Sequence, residues 1–386
     1  MNDKYDIIIA GGGIIGSAAA YELTNKGARV LVIEQTDQAS GTAGATDGVV
    51  AYHTKKPGFH MDLAAQSIAM FPRLSHQLEA NICYVEGCGG MLAIEDTQQL
   101  DLLKQLAQEQ QAGGANVQII DIHKARQIEP QLSPKLLGAL YSPTASKVDP
   151  IALTFAYAAA AKRQGAVFKN HCRVTGIMLE RASVKGIHTT SGGFYAPKLI
   201  IAAGSWSADL GEMAGITLPI KPRKGQLLVT EPVGPFLKGA VQCARYFVIK
   251  NHPHTVTDEY AHRTGASLSI KQTADGAILI GSTRELVGFD RENTLESFQA
   301  IIHRALSFFP SLKHVHVIRA FAGLRPYTPD GLPIIGGVGT ITGLYIASGH
   351  EGDGIALAPI TAKLLTEEIT TGKPSSALTP FSPDRF

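Results

Sequence analysis

The chain has 386 residues, more than one hydrophobic core ordinarily organises, so two domains are expected. Lysine plus arginine number 35 against 33 aspartate plus glutamate, a formal net charge of +2 that gives no reason to expect nucleic acid or an anionic membrane as partner. With 45% hydrophobic and 18% charged residues, the composition excludes a disordered chain and fits a large globular enzyme.

Residues 5–10, YDIIIA, form a short apolar run that predicts a central parallel strand buried on both faces. Gly11, Gly13 and Gly16 follow in the spacing G-x-G-x-x-G. The first permits a tight turn, the second lets a phosphate approach the backbone, and the third lets the next helix pack on the sheet. That helix is predicted over about residues 14–26, opening at Ile14 and Ile15 and closing at Gly27, with its N-terminal amides aimed at a pyrophosphate. A second strand at 29–33 delivers Glu34, followed by Gln35; a carboxylate there can accept hydrogen bonds from an adenosine ribose and disfavours the 2′-phosphate of NADP. Strand, glycine turn, helix and acid together predict a dinucleotide site, leaving FAD or NAD open.

After Glu34 the chain does not continue in repeated βα units, as a nicotinamide dehydrogenase would. It enters ASGTAGATDGVVAYHTKKPG (39–58), a small-residue loop whose Gly41, Thr42, Ala43, Thr46, Asp47 and Gly48 could reach further along an extended cofactor. Residues 96–114 read as a polar amphipathic helix, and 148–177 as a strand or turn, a helix started by Asp149-Pro150, and a strand. PKLIIAAGSWSADL (197–210) is another buried strand, ending in Ala203-Gly204-Ser205 with Trp206 behind. KGQLLVTEP (224–232) and SLSIKQTADGAILIGSTRE (267–285) alternate like antiparallel strands, the latter with a turn at Asp275-Gly276. Residues 251–267 are unpatterned and form a candidate lid or interface. GLRPYTPDGLPIIGG (323–337) precedes GLYIASGHEGDGIALAPITAKLL (343–365), again strand, glycine turn and helix. Its turn is Gly349, His350, Glu351, Gly352, Asp353 and Gly354.

The opening stretch, the Ala-Ala-Gly strand end, GLRPYTPDG and SGHEGDGIALAP together resemble the flavoprotein family of D-amino-acid oxidase, glycine oxidase and sarcosine oxidase. Within it the resemblance is to the branch of glycine oxidase and hydrogen cyanide synthase, with the flavin subunits of D-hydroxyproline and opine dehydrogenases. The resemblance implies FAD. The expected fold is α/β (α+β overall), a Rossmann-like FAD-binding domain with an inserted substrate domain on a mostly antiparallel sheet. Residues 1–80, 145–215 and 330–386 are assigned to the first domain, and 81–144 and 216–329 to the second. The family pattern also implies that Val174 offers a backbone group to the adenine and that the Gly323-Leu324-Arg325-Pro326 motif carries the arginine that grips a substrate carboxylate.

That last role follows from chemistry too, since a guanidinium is planar, always charged and able to make two parallel hydrogen bonds to a carboxylate. Arg325 is therefore the leading catalytic candidate, the alternative being a structural ion pair. Tyr246 and Tyr260 are candidates for a second substrate contact, and Tyr327 for the pocket border. The 349–354 turn is expected to present amides where negative charge collects on the reduced flavin, with His350 either a flavin neighbour or a cap of the turn. His53, Lys55, Lys56 and His60 form a basic run, read either as a solvated loop or as placing His53 near the flavin. His252, His254, Asp258 and His262 match no compact metal motif, and no metal is expected.

Two departures from relatives matter. No cysteine follows Cys243, so the flavin is expected to be held non-covalently, and Leu279 stands where monomeric sarcosine oxidase has the lysine that promotes reaction with oxygen. The sequence thus points to an FAD-dependent oxidoreductase acting on a small amino or imino acid such as glycine, proline, hydroxyproline, sarcosine or an opine. A 2-hydroxy-acid dehydrogenase and a catalytically silent flavin subunit are the alternatives. Partners expected are the substrate and either electron-transfer subunits or further copies of the chain. Four cysteines without a pairing pattern, no leader-like N-terminus and no membrane-spanning run suggest a cytoplasmic protein.

Overall fold

The computed structural model describes residues 5–251 and 264–386, with the side chains of 249–251 left aside. Most of the segment 251–267, including Tyr260, His252, His254, Asp258 and His262, lies outside the described residues.

Two large sheets organise the chain. The first has six strands in the order Ile334–Gly337, Leu344–Ser348, Leu199–Ile201, Ile7–Ala10, Val30–Ile33 and Val167–Lys169. All its pairs are parallel except the outermost, between 334–337 and 344–348. The central strands read IIIA and VLVI because both faces are covered. Ile7 and Ile9 join a core with the helices Ile14–Asn25, Pro150–Arg163 and Gly354–Thr371. Ile8 and Ala10 point the other way, toward a three-stranded antiparallel sheet (174–180, 183–189, 192–195) and the helix Ser207–Met213. Lys26 follows the first helix as its cap, and Gly27 then takes the left-handed conformation with φ +80°. Asp149 Oδ1 caps the 150–163 helix, accepting from the amides of Ile151 and Ala152 at 2.8 and 2.9 Å.

The second sheet has eight strands, all drawn from residues 90–142 and 221–327. Its longest pair, Lys221–Thr230 with Val317–Tyr327 at one edge, is antiparallel, and so is the hairpin Ser269–Gln272 with Ile278–Gly281. One pair, 90–94 with 240–243, is parallel. Alternation again sends side chains to two cores. Met91 and Ala93 face the amphipathic helix Leu295–Phe308, while Leu92 and Ile94 face the helix Thr97–Ala112. Two hydroxyls join the sheets: Thr42 Oγ1 donates to the Leu324 carbonyl at 2.5 Å and Ser205 Oγ to the same oxygen at 3.0 Å. The residue held this way immediately precedes Arg325.

Among the described residues, no helix is long and apolar enough to cross a membrane.

Candidate active site

A cavity of about 790 Å³ runs from the carboxyl ends of the parallel strands, at Ala10, Glu34, Ala203 and Ser348, to the eight-stranded sheet at Leu227, Gly281 and Arg325. Strand ends of an open parallel sheet are where ligands bind, because the loops there diverge and leave a crevice. At the strand–helix turn, Gly11 has φ +120°, and a Cβ there would strike the Ala202 carbonyl. A Cβ on Gly13 would meet nothing within 4 Å, so its backbone faces open space at the helix N-terminus. Glu34 closes the turn from the next strand: Oε2 accepts from the Gly12 amide at 2.8 Å and Oε1 from the Thr36 amide at 2.9 Å.

Most of the residues singled out from sequence line this cavity. Gly11, Gly13, Ile14, Ile15, Glu34 and Gln35 form its first end, together with Val174. Gly41, Thr42, Ala43, Thr46 and Asp47 come from the loop, and Ala203, Gly204 and Trp206 from the second strand end. Tyr246, Arg325, His350, Glu351, Gly352 and Gly354 line the far end.

The others lie behind the wall. A Cβ on Gly16 would strike the Gly11 carbonyl, one on Gly323 would come within 2.6 Å of Ala45 Cβ, and one on Gly349 within 2.7 Å of Thr328 Cγ2. These glycines allow packing, and Gly48, closed off by Val148 and Pro150, does likewise. Asp353 turns away to Lys55, whose Nζ is 2.7 Å from Oδ1.

His53 is also not at the cavity. Its ring is buried beside Gly90 and Ala145, neither ring nitrogen has a hydrogen-bond partner among the described residues, and burial, helped by Lys55, pushes its pKa down to about 3. The reading of this run as solvated fails at Lys55, which is 3% exposed, whereas Lys56 is exposed. The physical reason is the ion pair with Asp353, joined by His60 Nε2 at 3.5 Å from Oδ2.

The far end is dominated by arginine. Arg325 Nη1 donates to the Thr283 carbonyl at 2.9 Å and Nη2 to Ser282 Oγ at 2.7 Å, which fixes the plane of the guanidinium. A Cβ on Gly225 of the neighbouring strand would collide with that guanidinium. Arg223, its cross-strand partner, pairs with Glu351 and lies 4.4 Å over the Tyr327 ring. Arg284 stacks 4.2 Å over the ring of Tyr246. Burial lowers the pKa of Arg325, Glu351 raises it, and Arg284 and Arg223 lower it further. A Cβ on Gly352 would sit 3.8 Å from Arg325 Nε and 3.9 Å from the Tyr246 hydroxyl, so both groups converge over the backbone of the 349–354 turn.

His350 lines the cavity with Nε2 3.1 Å from Thr361 Oγ1; burial and His60 push its pKa down to about 3, so the ring is neutral. Tyr327, beneath Arg223, does not line the cavity.

Sequence reasoning missed Arg223, Arg284, Ser282 and Phe289. Phe289 and Trp206 stack 5.5 Å apart at the cavity. Nothing in their spacing marked them: Gly225, the bare position one strand over, makes room for Arg325 and for none of these four.

A family profile, FAD dependent oxidoreductase (DAO), matches residues 6–368. The chain belongs to the DAO family. It is 30% identical to the hydrogen cyanide synthase subunit HcnC of Pseudomonas aeruginosa over 428 residues, spanning 100% of this chain and 97% of that one. It is 30% identical to the glycine oxidase of Geobacillus kaustophilus over 391 residues, spanning 99% and 97%. Among solved structures, glycine oxidase from Geobacillus kaustophilus superposes with a TM-score of 0.88 at 29% identity, covering 99% of each chain. L-proline dehydrogenase from P. horikoshii superposes with a TM-score of 0.89 at 26% identity, covering 100% of this chain and 98% of that one. As a DAO-family member the protein is an FAD-dependent oxidoreductase.

The residues present fit that cofactor. The open backbone at Gly13 suits a pyrophosphate, Glu34 stands where a ribose would lie, and one continuous cavity leads on to Arg325.

Proposed function

We propose that this DAO-family enzyme oxidises a small amino or imino acid of the glycine, proline, hydroxyproline, sarcosine or opine class at the carbon bearing nitrogen. The observation that carries the reading is the Arg325 guanidinium, plane-fixed by Ser282 and Thr283 at the cavity end opposite the glycine turn. When bound, FAD supplies the electron acceptor for a hydride from the substrate. The chain's own work is to bind and orient. Arg325 takes the carboxylate, Tyr246 borders the same space, and the 349–354 turn lies beside both. The oxidised carbon leaves as an imine that water hydrolyses.

Gly11, Gly13, Glu34, the 41–47 loop, Val174 and the 203–206 strand end are the proposed cofactor contacts. Binding is proposed to be non-covalent, since no cysteine follows Cys243. His350, neutral and tied to Thr361, is proposed as part of the wall near the flavin and not as a proton carrier. Because HcnC is a subunit by name and Leu279 occupies the position of the oxygen-promoting lysine, an electron-transfer partner subunit is proposed as the route for electrons.

Replacing Arg325 with alanine removes charged hydrogen bonds contributing about 1.5–3 kcal/mol each. The Michaelis constant for an amino-acid substrate should therefore rise by at least about 10-fold while FAD stays bound. An unchanged constant would contradict the assignment.

A further inference from the structure

Among the described residues, the carboxylates that line the cavity are Glu34, Asp47, Asp209 and Glu351. Glu34 is taken up by the amides of Gly12 and Thr36, Glu351 pairs with Arg223, and Asp209 is exposed on the helix that follows Trp206. Asp47 differs. It is half-buried, its Oδ2 accepts from Ser269 Oγ at 2.6 Å, and its Oδ1 accepts from the Val49 amide at 3.3 Å. A carboxylate offers about four acceptor sites, so two donors, one of them at long range, leave it room for another. Lys271, the next residue on that face of the strand, sends its Nζ to the Val148 carbonyl at 3.0 Å and reaches Asp47 as a charge through space. Ser269 also fixes where the Asp47 carboxylate stands. It pairs across the sheet with Gly281, and the next residue, Ser282, holds Arg325 Nη2 at 2.7 Å. Ser269, Gly281 and Ser282 line the same cavity as Asp47 and Arg325. An anion and a cation are thus anchored at neighbouring positions of one sheet and border one space, which is the charge pattern that complements a zwitterion.

We infer that Asp47 receives the substrate's nitrogen: Arg325 grips the carboxylate, and Asp47 takes the ammonium on the adjoining carbon. The site then selects a zwitterion, and an acid of the same shape with carbon in place of nitrogen loses the second contact. The inference rests on the amino-acid reading of the site and deepens it, by naming the group that tells amino and imino acids from other small carboxylic acids.

The test uses the FAD-loaded enzyme without oxygen and pairs of acids of equal shape: glycine with propionate, sarcosine with butyrate, and proline with cyclopentanecarboxylate. Binding is read as the concentration that half-saturates the perturbation or bleaching of the flavin spectrum. In at least one pair the amine-bearing acid is expected to bind about 10-fold or more tightly than its carbon counterpart, the worth of one charged hydrogen bond. Asp47→Asn keeps the shape of the side chain and removes its charge. It should bring that ratio toward one while the flavin absorbance stays and the carbon acid binds no more weakly. A wild-type ratio near one in every pair overturns the inference while leaving Arg325 as carboxylate ligand, and this result does not depend on any variant folding. A ratio that survives Asp47→Asn also overturns it. If none of these acids alters the flavin spectrum, the amino-acid reading fails as well.

Discussion

Two buried histidines give the residue scale a clear test. His53 and His350 are held neutral, with pKa values near 3 in the folded protein against 6.5 when solvated. Between those values the unfolded chain binds protons that the folded chain does not. Stability from this source is therefore complete above about pH 6.5 and falls as the pH drops, by about 1.4 kcal/mol per pH unit for each histidine. Urea denaturation at pH 7 and pH 5 should show the loss, and His53→Phe should remove about half of the slope. A slope unchanged in that variant would mean His53 is not the group. The sequence made Arg325 legible, because a Gly-Leu-Arg-Pro motif singles it out. It misled on His53 and Lys55. Neither spacing nor hydropathy shows that a basic run folds inward, because the partner that makes this tolerable, Asp353, lies 298 residues further on.

Among the elements, the glycine-rich turn was the most readable, since each glycine answers a separate steric demand. Gly16 lets the 14–25 helix approach the strand, with its Cα facing the Gly11 carbonyl. Gly16→Val should push helix from strand and spoil the pyrophosphate seat, so the purified variant should lack the flavin absorbance near 450 nm. A variant that keeps a full complement of FAD would contradict that geometry. Strand alternation was legible for the same reason: a buried two-faced strand must be apolar throughout, and a strand between a helix and another layer sorts its residues by parity. The tie from Thr42 and Ser205 to Leu324 was not legible, as it joins segments more than 100 residues apart through one carbonyl.

On the scale of the whole molecule, function comes from apposing two unlike sheets. The parallel sheet ends in diverging loops at one end of the cavity, and the mostly antiparallel sheet carries Arg325 to the other, with the charges of Arg223 and Arg284 close enough to act on it. The class of each sheet could be read from its patterning; which residues meet across them could not, because that depends on how the sheets pack. The identity of the electron acceptor lies at this scale too, since a partner subunit would dock on the outside of this frame. The central claim is that an amine-bearing acid bound at Arg325 reduces the flavin. The most direct measurement is the visible spectrum of the purified protein, recorded without oxygen while amino, imino and 2-hydroxy acids are added one at a time. The account predicts that an amino or imino acid bleaches the flavin and that hydroxy acids do not. Bleaching by a 2-hydroxy acid alone, or an oxidised spectrum that no amino or imino acid alters, would contradict it.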